Sequence, residues 1–185
     1  GENGLSAVVG REVEARANLD EAIAYAAAIK AKNIHVMAGL SAGNQAHTTF
    51  IKNLAYACEN AGRYGLEILI EPLNKYDAPG YFLKFTDQAI EVIDEVGVKN
   101  LKLMFDCYHV QLMEGHLTHR LKKLLPHIGH IQFASVPDRG TPDHGEINYD
   151  YVFKVISELD YDHPIGAEYK PKCPTDQSLD WLQRR

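Results

Sequence analysis

The sequence predicts an α/β protein in which short parallel strands alternate with helices, and three observations carry that prediction. Three apolar runs end abruptly in a carboxylate: Leu66–Ile70 before Glu71, Leu101–Phe105 before Asp106, and Ile165–Ala167 before Glu168. A fourth run, His127–Phe133, places the amide of Gln132 near its end. The segments between these runs are each long enough for one helix, which is the signature of βα units. Burying an unpaired carboxylate against such a strand costs several kcal/mol, roughly 2–7 even for a neutral polar group. A metal ion, a basic partner or exposure at a strand mouth resolves that cost, and parallel sheets gather their ligands at the carboxyl ends of the strands.

Taken in order, residues 1–10 read as a loop. Arg11–Lys32 carries Val13, Ala17, Ile23, Ala24, Ala27 and Ala28 and predicts an Ala-rich helix. Ile34–Ala38 reads as a strand with a loop over 39–43. Asn44–Tyr64 predicts a second helix with Phe50, Ile51, Leu54, Ala57 and Cys58 on one side, and Gly65 stands where a helix C-cap wants glycine. The Glu71 strand leads into a long loop, Asn74–Tyr81. Thr86 is expected to cap a helix running to Val96, with Gly97 after its end. The Asp106 strand follows, and then Thr118 is expected to cap a short helix, Arg120–Leu125, that Pro126 stops. The Gln132 strand opens into a stretch from Val136 to Asn148, too long for a connector and therefore a candidate functional loop. Asn148 is expected to cap a helix through Leu159, and the Glu168 strand and a short helix near Leu179 complete the chain.

That makes five strands, whereas a closed (β/α)8 barrel takes eight strands and typically about 250 residues. The expectation is one domain over residues 1–185 that carries the C-terminal five βα units of an eight-fold barrel, with the N-terminal strands absent. The opening helix indeed lacks the strand that should precede it. Free edges at the Ile34 and Ile165 strands would be aggregation templates. They are expected to be covered by a partner chain, as in a homo-oligomer, or by N-terminal residues missing from this chain.

A hydrophobic content of 45% with 24% charged residues is ordinary for a soluble globular protein. The net charge of −6 argues against nucleic acid as the main partner, since phosphate binding leans on a basic surface. No apolar run approaches the ~18 residues of a membrane span, and no signal peptide is evident. Cys58, Cys107 and Cys173 are in no metal-type spacing, which fits a reducing cytosol and a cytoplasmic location.

Strand parity tests whether the four polar groups can converge. If Glu71 points into a barrel, so do Leu69 and Glu67, while Ile68 and Ile70 face the helices. Asp106 shares its face with Met104 and Lys102, Gln132 with His130, and Glu168 with Gly166. The opposite faces are apolar, as helix-packed faces must be. Glu71, Asp106, Gln132 and Glu168 thus form an all-oxygen donor set, which suits Mg²⁺, Mn²⁺ or Ca²⁺ better than Zn²⁺. The plainer alternative is that each group merely accepts hydrogen bonds from loop amides at its strand end. A metal held by two Glu residues on different strands invites proton transfer next to a carbonyl, through a cis-enediolate. His109, just past Asp106, can hydrogen-bond a substrate oxygen, and Arg139 in the long loop can pair bidentately with a substrate carboxylate. His116 and His119 read as solvated, and His130 as a core residue below the site.

The chain resembles the hydroxypyruvate isomerase family within the xylose-isomerase-like TIM barrels. The resemblance runs from Ile34-His-Val-Met-Ala-Gly through Ile68-Leu-Ile-Glu-Pro-Leu, Phe105-Asp-Cys-Tyr-His and Gly115-His-Leu-Thr-His to Gly129-His-Ile-Gln. Its most specific parts are Pro137-Asp-Arg, Gly145-Glu-Ile-Asn-Tyr and Gly166-Ala-Glu-Tyr-Lys-Pro. The resemblance implies a divalent metal, Mg²⁺ or Mn²⁺, on Glu71, Asp106, Gln132 and Glu168, with Glu71 and Glu168 as the acid/base pair and His109 and Arg139 as substrate contacts. It implies a small 2-oxo or hydroxy acid as substrate, with hydroxypyruvate and tartronate semialdehyde, or a close relative such as a 2-oxo-tetronate, interconverted. Related sugar epimerases carry His where this chain has Gln132. A ketose 3-epimerase acting on a free sugar is the nearest rival, and Arg139 discriminates because a neutral sugar needs no cation there. A truncated barrel that binds metal or metabolite without turnover is the non-catalytic alternative. A DNA-repair endonuclease sharing the barrel would want a His-rich zinc cluster and a basic groove.

Overall fold

A computed structural model of the protein describes residues 3–184. The chain divides into two compact units, the first ending at Met104 and the second beginning at Phe105.

The first unit opens with α1 (Glu12–Ile29), whose Ala15, Leu19, Ile23 and Ala26 form the buried side that packs on α2 (Gly43–Gly62). Helix α2 buries Ala46, Phe50, Leu54, Ala57, Cys58 and Ala61 in turn, one side of a 3.6-residue repeat. Strands β1 (Asn33–His35), β2 (Glu67–Ile70) and the start of β3 (Leu101–Asp106) are parallel. His35 stands opposite Leu69, and Ile70 opposite Leu103. Ile68, Ile70, Leu101 and Leu103 are all buried, as the parity argument requires.

Strand β1 is shorter than the sequence suggests, and beyond it Met37 and Ala38 pair with the chain's own opening residues. Ala7 N–H donates to the Ala38 carbonyl at 2.7 Å, Ser6 N–H to that of Met37 at 3.4 Å, and Gly4 bridges Ala38 in an antiparallel sense. Part of the cover expected from elsewhere therefore comes from residues 4–7. Helix α3 (Thr86–Val96) ends as expected, with Gly97 left-handed at φ 69. Its N-cap, however, is Phe85, which makes no side-chain capping bond, and the expected cap Thr86 is buried within the first turn.

In the second unit the sequence reading misses α4 (Cys107–Met113), which starts without a connector at the end of β3. Asp106 makes this possible: its Oδ1 accepts the Tyr108 N–H at 2.9 Å and caps the helix. Helix α5 (Leu117–Leu124) also begins earlier than expected, with left-handed His116 at the N-cap position and Thr118 inside the helix. A 3₁₀ turn, Leu125–His127, leads into β4 (Ile128–Phe133), which pairs in parallel with β5 (Ile165–Ala167), Gln132 opposite Gly166. Between them α6 (Tyr149–Glu158) is capped as expected, the Asn148 carbonyl oxygen accepting the Tyr151 N–H at 3.1 Å. The single short helix expected near Leu179 is instead two 3₁₀ stretches, Thr175–Ser178 and Asp180–Arg184. Trp181 from the second meets the Phe133 ring edge-on at 5.8 Å. Among the described residues no helix is long and apolar enough to cross a membrane.

Candidate active site

Of the six residues singled out by the sequence, Glu71 belongs to the first unit and Asp106, His109, Gln132, Arg139 and Glu168 to the second.

Glu71 directly follows β2 and is buried, 5% exposed. Its Oε2 lies 3.6 Å from Nε2 of His35, which the sequence reading did not single out. Burial pushes the His35 pKa down to about 4, so the imidazole is neutral at neutral pH and the contact is no ion pair. The buried Tyr81 hydroxyl accepts the Ala38 N–H at 2.9 Å, and burial first, with the Glu71 charge adding to it, holds that phenol above its ordinary pKa.

In the second unit Asp106 ends β3 with its side chain sealed from solvent. While Oδ1 caps α4, Oδ2 lies 3.6 Å from His109 Nε2 and 3.8 Å from Arg139 Nη2. His109 is buried three residues on, where one helical turn returns it over the carboxylate. Arg139 Nη2 donates to Glu168 Oε2 at 2.5 Å, and its guanidinium carbon sits 5.0 Å above the Tyr108 ring. The structure thus gathers Asp106 and Glu168 around the Arg139 guanidinium, with His109 beside Asp106. Glu168 follows β5, its N–H donating to the Phe133 carbonyl at 3.0 Å while its side chain is half exposed.

Gln132 carries the most informative atom. Its Oε1 is buried and accepts no hydrogen bond among the described residues. An unsatisfied buried acceptor costs about 1–3 kcal/mol, and this oxygen is chemically able to take a ligand. Glycine stands opposite it at position 166: a β-carbon there would lie a tight 3.0 Å from His130 Nε2 and in ordinary contact, 3.6 Å, with Gln132 Cγ.

The loop that presents Arg139 is locked by residues that sequence reasoning did not single out. Arg139 itself is left-handed, φ 52, with its N–H on the Ser135 carbonyl at 3.0 Å and its carbonyl accepting the Lys170 N–H at 2.7 Å. The Ser135 hydroxyl donates to Asp138 Oδ1 at 2.6 Å and accepts the Gly140 N–H at 2.9 Å. His144 Nε2 lies 3.0 Å from Asp138 Oδ1, and Lys172 donates to Oδ2 at 3.1 Å. Gly145, at φ 86, passes so close to the Val136 carbonyl that a β-carbon would stand 2.4 Å from its oxygen.

The Ser135 hydroxyl first, then His144, hold the Asp138 carboxyl well below its ordinary value of 3.8. A carboxyl depressed in the folded state contributes stability that is present above its unfolded pKa and lost as pH falls through the folded one. Amide exchange of residues 135–146 should therefore quicken as pH is lowered from about 5 toward 2, after correction for intrinsic rates. Asp138→Asn should show the faster exchange already at neutral pH. A loop whose protection is insensitive to both changes would refute the lock.

Residues 3–185 match the family model described as the xylose isomerase-like TIM barrel. A 2-oxo-tetronate isomerase from Cupriavidus necator is 46% identical over 99% of this chain and 72% of its own length. A hydroxypyruvate isomerase from Escherichia coli is 44% identical over 98% of this chain and 72% of its own. Among solved structures, a protein described as a family 2 AP endonuclease from Brucella melitensis superposes with a TM-score of 0.94 at 38% identity, covering 98% of this chain and 71% of that one. An Escherichia coli 3-keto-D-glucoside 4-epimerase, at 19% identity, covers 100% of this chain and 77% of its own with a TM-score of 0.85, which speaks to the fold alone.

Proposed function

The chain belongs to the xylose isomerase-like TIM barrel family, and on that premise we propose that it is an isomerase interconverting hydroxypyruvate and tartronate semialdehyde, or a close 2-oxo acid such as a 2-oxo-tetronate. The observation that carries this reading is Arg139, a cation seated against Asp106 and Glu168 by a locked loop. A carboxylate substrate calls for such a cation, and a neutral sugar does not. Residues 1–185 are then one domain, and its five strands are the last five of the eight in a complete barrel.

The donor set fits a hard divalent ion, Mg²⁺ or Mn²⁺, on Glu71, Asp106, Gln132 and Glu168, and the buried, unbonded Gln132 oxygen supports that assignment. When bound, the ion would polarise the substrate carbonyl and its neighbouring hydroxyl and acidify the C–H between them. Glu71 and Glu168 carry the protons. One takes the proton from the hydroxyl-bearing carbon and leaves a cis-enediolate. The other delivers a proton to the former carbonyl carbon while the hydroxyl's own proton passes to the former carbonyl oxygen, so an α-hydroxy ketone becomes an α-hydroxy aldehyde with no net gain or loss. Arg139 orients the carboxylate, and His109 donates to a substrate oxygen beside Asp106.

The test is deuterium exchange. Hydroxypyruvate incubated with the protein in D₂O and Mg²⁺ or Mn²⁺ should take up deuterium at carbon 3, followed by NMR, with the semialdehyde appearing at the same rate. Chelation should abolish the exchange, and added metal should restore it. Exchange into a neutral ketose but not into hydroxypyruvate would move the assignment to an epimerase. No exchange into either would leave a binding protein.

A further inference from the structure

We propose that His35 is a further substrate-contacting residue, placed so that its Nε2 and the Glu71 carboxylate grip the same substrate oxygen from two neighbouring strands. The proposal rests on the isomerase reading above and extends it to a residue outside the donor set and outside the acid/base pair. Register puts His35 there: it stands opposite Leu69 across β1 and β2, and Leu69 and Glu71, two residues apart, point to the same face. Both side chains therefore emerge on one face at the carboxyl ends of adjacent parallel strands, where ligands of such sheets bind.

The decisive observation is that His35 Nε2 is buried and has no hydrogen-bond partner among the described residues. Buried polar atoms in folded proteins are nearly always satisfied, and exceptions call for an explanation. Glu71 Oε2, at 3.6 Å, is too far for a hydrogen bond. The same gap is right for a third atom: an oxygen at about 2.8 Å from each fits between them. The substrate's hydroxyl oxygen meets that description: its O–H donates to the Glu71 carboxylate, and it accepts from the His35 ring N–H. A nitrogen there donates to the oxygen on which negative charge develops, the kind of preorganised contact that lowers a proton-transfer barrier.

His35→Leu and His35→Gln test the assignment, the first removing the ring nitrogen and the second returning a side-chain N–H near the Nε2 position. Three quantities are read: thermal midpoint of the free protein, Mn²⁺ affinity, and deuterium exchange into hydroxypyruvate. The expected result for His35→Leu is an unchanged or higher midpoint, because an unsatisfied buried polar atom is gone. Mn²⁺ affinity stays within about threefold, and exchange falls about 30-fold or more, the scale of losing a donor to a developing oxyanion. His35→Gln should recover about tenfold of that loss by restoring a donor. A midpoint lower by several degrees in His35→Leu would make the residue structural and overturn the proposal, as would exchange within about threefold of wild type. Should the wild type itself leave hydroxypyruvate unexchanged, the isomerase reading falls. The midpoint arm then still decides whether Nε2 faces a ligand: an unchanged or higher midpoint keeps that assignment and a fall of several degrees removes it.

Discussion

Glu168→Gln, saturated with Mn²⁺, is expected to bind the ion measurably and yet lose about 10²–10⁴-fold in exchange of the substrate's carbon-bound proton. The substitution separates two duties of one side chain. An amide keeps an oxygen that can donate to a metal and accept from the Arg139 guanidinium, which Glu168 holds at 2.5 Å. What it cannot do is take or give a proton at any useful pH. Because the side chain is half exposed, its exchange for a near isostere should leave folding intact. Asp106→Asn is the informative contrast. Its oxygen can still cap α4 through the Tyr108 N–H, so a defect there should be partly rescued by excess metal, whereas the Glu168→Gln defect should not. Near wild-type exchange in metal-saturated Glu168→Gln would remove Glu168 from the acid/base pair.

The positions of these groups were legible in the sequence for a simple reason. A parallel strand buried on both faces reads as an apolar run, and a carboxylate or amide that interrupts such a run has few tolerable environments. Glu71, Asp106, Gln132 and Glu168 accordingly lie within or immediately after β2, β3, β4 and β5. What the sequence hid depends on contacts distant along the chain or on backbone conformation. Helix α4 is hidden because Asp106 reads as a strand-end ligand, while the same carboxylate also caps the helix. Thr86 and Thr118 look like caps by residue type, yet the chain enters those helices one residue and two residues earlier, at Phe85 and His116. Beyond β1, Met37 and Ala38 pair with residues 4–7, some thirty positions upstream, which no local pattern announces.

His35 is the instructive omission. Its signal was present in the parity rule already applied to β2, since extending that rule to β1 places it on the same face as Glu71. A lone histidine in an apolar strand carries no meaning until the register to its neighbour is known. The Ser135–Asp138–His144 network is likewise invisible in sequence: a long polar loop announces itself by length, but which hydroxyl locks which carboxylate follows from its folded path.

Arg139→Lys carries the second large effect, and it reports on what the substrate is. The two side chains share charge and a flexible stem, and the left-handed backbone at position 139 taxes them equally, so the folded loop should survive. They differ in shape. A guanidinium is a planar fork that pairs with a carboxylate through two parallel N–H bonds and stacks on an aromatic face, as Arg139 does over Tyr108 at 5.0 Å. An ammonium offers a point charge with neither property. For hydroxypyruvate the expected result is a KM raised about tenfold to a hundredfold, with kcat changed far less, because the lost pairing is made in substrate and transition state alike. A neutral ketose offered to the same variant should show no such rise, having no carboxylate to lose. An equal rise for both substrates would mean that Arg139 acts through Glu168 and Asp106 rather than on the substrate. No rise for hydroxypyruvate would withdraw the carboxylate assignment and return the neutral-sugar epimerase to first place.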